Sequence, residues 1–209
     1  MSRSSSPLHC VILAGGRSRR MGRRKEWICI GGVPLIELHL RRWRPLFREV
    51  WISCSDPEGF RELFLEMGAR PLVDPPGLPC LRAIIEHCAE SVGEGFFLVA
   101  VDLPALEPEV VKGLIELRRP GEGVMPRSAR GLEPLAALYD PSCLEGLRAM
   151  REGRIHKLSR IPQFVPTRVV DWPQAFPAEL AGENRVDPFL NLNTPEDLAR
   201  YERQPAGGS

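Results

Sequence analysis

Lysine is scarce in this chain of 209 residues: Lys25, Lys112 and Lys157 are the three among 28 basic residues. The arginine skew carries no function by itself, but it makes Lys25 conspicuous inside an arginine-rich stretch. Excess charge of one sign is also missing. The formal net charge is +1, which removes any global electrostatic case for binding nucleic acid or a membrane surface. Paired cysteines are absent: Cys10, Cys29, Cys54, Cys80, Cys88 and Cys143 are scattered with no CxxC spacing. That argues against a structural zinc site and against a disulfide framework. No apolar run approaches the roughly 18 residues of a membrane span, and residues 1–9 lack a secretory apolar core. The reading is a reduced, cytoplasmic protein with no membrane partner. Neither GxGxxG nor the Walker A pattern occurs, and there is no internal repeat.

Hydrophobic residues make up 43% and charged residues 26% of the chain, the balance of a globular domain that buries a core without staples. One domain is expected over residues 1–203, with 204–209 as a disordered tail. Short apolar runs predict strands at Cys10–Leu13, Val50–Ser53, Arg70–Val73, Phe96–Val101 and Leu135–Tyr139. Amphipathic segments predict helices at Pro34–Arg44, Gly59–Glu66, Leu81–Ala89, Pro108–Arg118 and Ser142–Glu152, the last with Ser142 and Glu145 at capping-box spacing. This alternation gives an α/β fold, a mostly parallel sheet with helices on both faces. Proline-rich residues 153–191 are expected to form an edge hairpin and loops. Near the end, Thr194, Pro195 and Asp197 spell an N-cap, a first helical position and a capping box.

Two places carry chemistry. Leu13, Ala14, Gly15 and Gly16 follow the first strand, where ligands of such sheets bind. Glycines there let backbone N–H groups approach an anion, and six cations (Arg17, Arg19, Arg20, Arg23, Arg24 and Lys25) lie within the next nine residues. A phosphate cradle, a solvated basic loop and a nucleic-acid patch all fit that charge. No aromatic interleaves the cluster before Trp27, so stacking platforms for single strands are missing. The second place is Asp102, at the end of the run FFLVAVD. A carboxylate there suits magnesium, which takes one or two carboxylates plus substrate phosphates; a plain turn aspartate is the competing reading. His9, His39, His87 and His156 are isolated and do not point to histidine catalysis.

The stretches LAGGRSRRMGRRK, IGGVPL, VDLP, EPLAALY and NLNTPEDL, in this order over nearly the whole chain, resemble the nucleotidyltransferase family that makes molybdenum cofactor dinucleotides, and within it the guanylyltransferases. The resemblance implies a Rossmann-like three-layer domain in which GMP passes from GTP to the terminal phosphate of molybdopterin, with Mg²⁺ on Asp102 and pyrophosphate leaving. It implies backbone contacts to GTP from Leu13, Ala14, Gly15 and Gly16, and a triphosphate contact from Lys25. Arg20 would steady the loop or the leaving pyrophosphate. Asp74 matches a nucleotide-contacting aspartate, and Ser53 stands where the family commonly has asparagine. Asn191 and Asn193 match residues that meet the pterin, although turn and capping chemistry alone also accounts for them. Transient contact with molybdenum-insertion or acceptor proteins follows from the same resemblance. Alternatives keep the fold and change the substrate, to CTP or to a sugar-like phosphate, or keep only nucleotide or nucleic-acid binding. Two departures stand out. Arg24 replaces an aspartate before the loop lysine, and Ala83 falls where a base-contacting glycine is expected, beside Arg82 as a possible extra phosphate or pterin contact.

Overall fold

The computed structural model describes residues 8–15, 24–78, 80–180 and 187–203. Its strands are β1 (His9–Leu13), β2 (Cys29–Ile30), β3 (Val33–Pro34), β4 (Val50–Cys54), β5 (Arg70–Val73), β6 (Phe96–Ala100), β7 (Gly123–Ser128), β8 (Gly131–Leu132), β9 (Ala136–Tyr139) and β10 (Thr167–Asp171). Its helices are α1 (Leu35–Trp43), α2 (Arg61–Glu66), α3 (Leu81–Val92), α4 (Pro108–Glu116), α5 (Cys143–Glu152) and α6 (Pro195–Glu202).

The main sheet runs β10-β7-β9-β6-β1-β4-β5, with β8 paired to β7. β1 is parallel to both β4 and β6, β4 to β5, and β10 to β7. β9 runs against β6 and β7. Side chains alternate across the central strands, as the two-residue period requires. Cys10, Ile12, Phe97 and Val99 join a core with α1 and α4 residues such as Leu40, Trp43, Val111 and Leu114. Val11, Leu13, Phe96 and Leu98 join the opposite core with Ile85 and Cys88 of α3 and Leu147 and Met150 of α5. Both faces of β1 and β6 are therefore covered, which is why these strands read as continuous apolar runs.

The five expected strands and five expected helices are present with bounds within three residues, the largest difference being α3, which runs on to Val92. Three expectations need correction. Among the described residues of 153–191, the place of the edge hairpin is taken by a 3₁₀ helix at Leu158–Gln163 followed by the edge strand β10, parallel to β7. β7 itself was not expected, because Gly123 and Pro126 lie inside it and weaken its strand signal. Ser142 makes no side-chain cap. Its N–H instead donates to Asp140 Oδ1 at 3.1 Å and its hydroxyl to the Gly121 carbonyl at 3.1 Å. The antiparallel course of β9 follows from chain length: only residues 129–135 separate it from β7, too few for the crossover a parallel partner needs.

The chain steps outward from β1 through β4 to β5, then returns to place β6 on the other side of β1. The boundary between β1 and β6 is thus the switch point of the sheet, and a crevice beyond the carboxyl ends of those two strands is where a ligand belongs.

Candidate active site

A cleft of about 360 Å³ opens at that boundary. Leu13, Ala14 and Gly15 line it from the end of β1, Asp102 from beyond β6, Lys25 from the segment after the glycine loop, and Asn191 and Asn193 from the strap before α6. Backbone bonds fix these pieces to one another. Val101 N–H donates to the Leu13 carbonyl at 3.1 Å, Ala14 N–H to Ser53 at 3.0 Å, and Leu192 N–H to the Asp102 carbonyl at 2.9 Å.

Lys25 opens a short 3₁₀ helix, Lys25–Trp27. Its ammonium donates to Asp102 Oδ2 at 2.8 Å and to Asn193 Oδ1 at 2.8 Å. The Lys25 and Asp102 side chains are 18% and 19% exposed, shielded from bulk water yet open to a ligand entering the cleft. Charge-assisted bonds in such a place are stronger than neutral ones.

Beneath Asp102 lies His39, fully buried on α1. Trp43 Nε1 donates to His39 Nδ1 at 2.9 Å, so the ring proton sits on Nε2 and donates to the Val101 carbonyl at 3.0 Å. Burial first, and the Arg42 charge second, push the His39 pKa down to about 3, against the opposing bond to Val101. The ring is neutral and holds the backbone just before Asp102. His39 is therefore a packed residue.

Asp74 begins where β5 ends, its N–H donating to the Cys54 carbonyl at 2.9 Å. Ser53 donates its hydroxyl to Asp74 Oδ1 at 2.6 Å. Partial burial raises the Asp74 pKa, opposed by the Ser53 bond and the nearby His87. The other carboxylate oxygen faces Gly15: a Cβ built on that glycine would stand 3.1 Å from Asp74 Oδ2. A glycine is needed here for close approach, quite apart from any turn.

The structure thus unites Leu13, Ala14, Gly15, Lys25, Asp102, Asn191 and Asn193 around one cleft and sets the Ser53–Asp74 pair beside Gly15. Gly16 and Arg20 lie outside the described residues. Arg82 does not serve the cleft. It is buried under α3, donating to Glu86 Oε2 at 2.5 Å and to the Leu147 carbonyl at 3.2 Å. Arg24 also turns aside. Its Nε reaches Glu26 Oε1 at 2.5 Å, its Nη1 lies 3.6 Å from Asp56, and its guanidinium lies 5.4 Å from the Phe60 ring centroid. Its charge is thereby met by two carboxylates. His39 and Leu192 were not singled out by sequence. The signal for His39 was available, since it precedes Trp43 by one helical turn on the apolar side of α1.

A glycine-bearing turn after the first strand, a lysine and a carboxylate facing each other across a switch-point cleft, and a sheet of this order define a nucleotidyltransferase-type domain. Sequence comparison makes the family explicit. The model of the MobA-like NTP transferase domain matches residues 10–166, and the chain belongs to that family. It is 33% identical to the molybdenum cofactor guanylyltransferase of Rhodobacter capsulatus, covering 92% of this chain and 93% of that one. It is 31% identical to a probable molybdenum cofactor guanylyltransferase of a Nostoc species, over 92% and 89% of the two chains. Among solved structures, molybdopterin-guanine dinucleotide biosynthesis protein A from Archaeoglobus fulgidus superposes with a TM-score of 0.74 at 25% identity, covering 93% of this chain and 97% of that one.

Proposed function

We propose that this protein transfers GMP from GTP to the terminal phosphate of molybdopterin. An oxygen of that phosphate attacks the α-phosphorus of GTP, the bond from the α-phosphorus to the bridging oxygen breaks, and pyrophosphate leaves. Such transfers depend on positioning and charge stabilisation rather than on covalent participation by the protein. The observation that carries the reading is the Lys25 ammonium held at 2.8 Å from both Asp102 and Asn193, at the mouth of a cleft that begins with the Leu13–Gly15 backbone.

In this reading the Leu13, Ala14, Gly15 and Gly16 backbone approaches the nucleotide. Lys25 gives a point charge to the triphosphate, and Arg20 supports the loop or the leaving pyrophosphate. Asp74, with Ser53 on its other oxygen, accepts from the nucleoside. The resemblance gives Asn191 and Asn193 to the pterin substrate; in the structure both line the same cleft. The donor set suits magnesium. Among the described residues no three acidic, histidine or cysteine side chains gather as a metal cage, and one or two carboxylates, such as Asp102, are what magnesium takes when substrate phosphates complete its shell. When bound, the ion neutralises phosphate charge. Asp102 is the residue that would hold it.

No helix among the described residues is long and apolar enough to cross a membrane. Work in the cytoplasm, with transient hand-over of product to molybdenum-insertion or acceptor proteins, completes the proposal. The test is transfer of label from α-labelled GTP into a molybdopterin dinucleotide, with CTP as the competing donor. Label from GTP is expected. Label from CTP alone would move the protein to the cytidylyl reaction.

A further inference from the structure

The resemblance sends Asn193 to the pterin, while the structure gives its side-chain oxygen to Lys25. We propose that Asn193 is a positioning residue for Lys25, and that the NLNTPEDL segment is a clamp organising the nucleotide half of the site. This rests on the reading of Lys25 as the triphosphate contact.

Three contacts of one segment carry the inference. Asn193 Oδ1 accepts from the Lys25 ammonium at 2.8 Å. One residue earlier, Leu192 N–H donates to the Asp102 carbonyl at 2.9 Å, with the Leu192 side chain fully buried as the anchor. Eight residues further on, the Tyr201 hydroxyl donates to the Pro104 carbonyl at 3.3 Å, so α6 docks on the turn that follows Asp102. A single stretch of chain therefore touches both charged members of the cleft.

Asn193 is itself held in place. Its N–H and that of Thr194 both donate to Asp197 Oδ2 at 2.9 Å, and Thr194 Oγ1 accepts from the Asp197 N–H at 3.2 Å. This is a complete capping box with Pro195 in the first turn, and it sets the backbone of residue 193 before any ligand arrives. A free lysine side chain gives up rotamer entropy when it is fixed. Here two acceptors have already restricted it. Because Asp102 supplies only one of them, its recruitment by a cation would leave Asn193 as the partner that keeps the ammonium at the cleft.

Lys25, Lys112 and Lys157 are the chain's three lysines, which permits a test without any nucleotide. Limited acylation of the folded protein, read by mass spectrometry, compares Lys25 with Lys112 and Lys157 as internal references. Asn193 is exposed, so Asn193→Ala opens no cavity, and the backbone bond to Asp197 persists. The variant is expected to raise the Lys25 labelling ratio about threefold or more, as a hydrogen-bonded ammonium gains freedom. An unchanged ratio overturns the proposal. In the second arm, Asn193→Ala is expected to weaken Mg·GTP binding about fivefold to tenfold, and to change it less than about twofold in a Lys25→Ala background, the signature of coupled residues. Equal effects in both backgrounds, or a rise only in the KM for molybdopterin, would contradict it. A wild type that binds no GTP would defeat the guanylyl reading, while the labelling arm still decides the role of Asn193.

Discussion

At the scale of the residue, two positions show how small geometric demands fix the chemistry. Gly15 has its Cα against Asp74, and a methyl there would come within 3.1 Å of Oδ2. That is tight enough to push the carboxylate aside by a few tenths of an ångström. Gly15→Ala is expected to raise the KM for the nucleotide about threefold to tenfold with little loss of fold stability, as measured by initial rates and thermal unfolding. His39 makes a different demand. Its pKa falls to about 3 through burial, against about 6.5 when unfolded. The unfolded chain therefore binds more protons between these values. The stability contributed by the neutral ring is complete above about pH 6.5 and is lost as pH falls toward 3, on the order of a few kcal/mol in total. His39→Gln, which can still donate to the Val101 carbonyl, is expected to flatten the dependence of unfolding free energy on pH between about 6.5 and 4. A slope unchanged from wild type in urea titrations would remove His39 as the source.

At the scale of the element, the short α6 depends on its start. Its capping box joins Thr194 and Asp197, and the two backbone N–H bonds to Asp197 lower the pKa of that carboxyl. Thr194→Ala is expected to cost about 1 kcal/mol of stability and to loosen Asn193, so that nucleotide affinity falls along with the unfolding temperature. Loss of stability with unchanged affinity would separate the cap from the site. This element was legible in the sequence because capping is local chemistry: Thr, Pro and Asp at fixed offsets. The apparent cap at Ser142 had the same offsets and failed, because Asp140 reached the Ser142 N–H and the Ser142 hydroxyl found the Gly121 carbonyl. Strands buried on both faces, such as β1 and β6, were legible from their apolar runs. β7 was hidden by its glycine and proline, and β10 by a partly exposed sequence whose pairing is fixed by β7 alone.

At the scale of the whole molecule, the sheet order decides which residues meet. Lys25 and Asp102 are 77 positions apart, and Lys25 and Asn193 are 168 apart. Each was legible as a candidate from its own motif. Their mutual bonds were not, because they arise only when the return from β5 to β6 sets the two halves of the sheet on either side of one crevice. The same long-range packing took Arg82 and Arg24 away from that crevice, although each looked available in its local stretch. Arg82 fell on the inward side of α3 against α5, and the Arg24 guanidinium was taken up by Glu26, Asp56 and Phe60.

The most direct test of the central claim is calorimetric titration of the protein with GTP, CTP and ATP in the presence of Mg²⁺, repeated on Lys25→Ala and Asp102→Ala. The account predicts selective binding of GTP, weakened about tenfold or more in each variant. Equal binding of all three nucleotides, or GTP affinity unchanged in both variants, would contradict it.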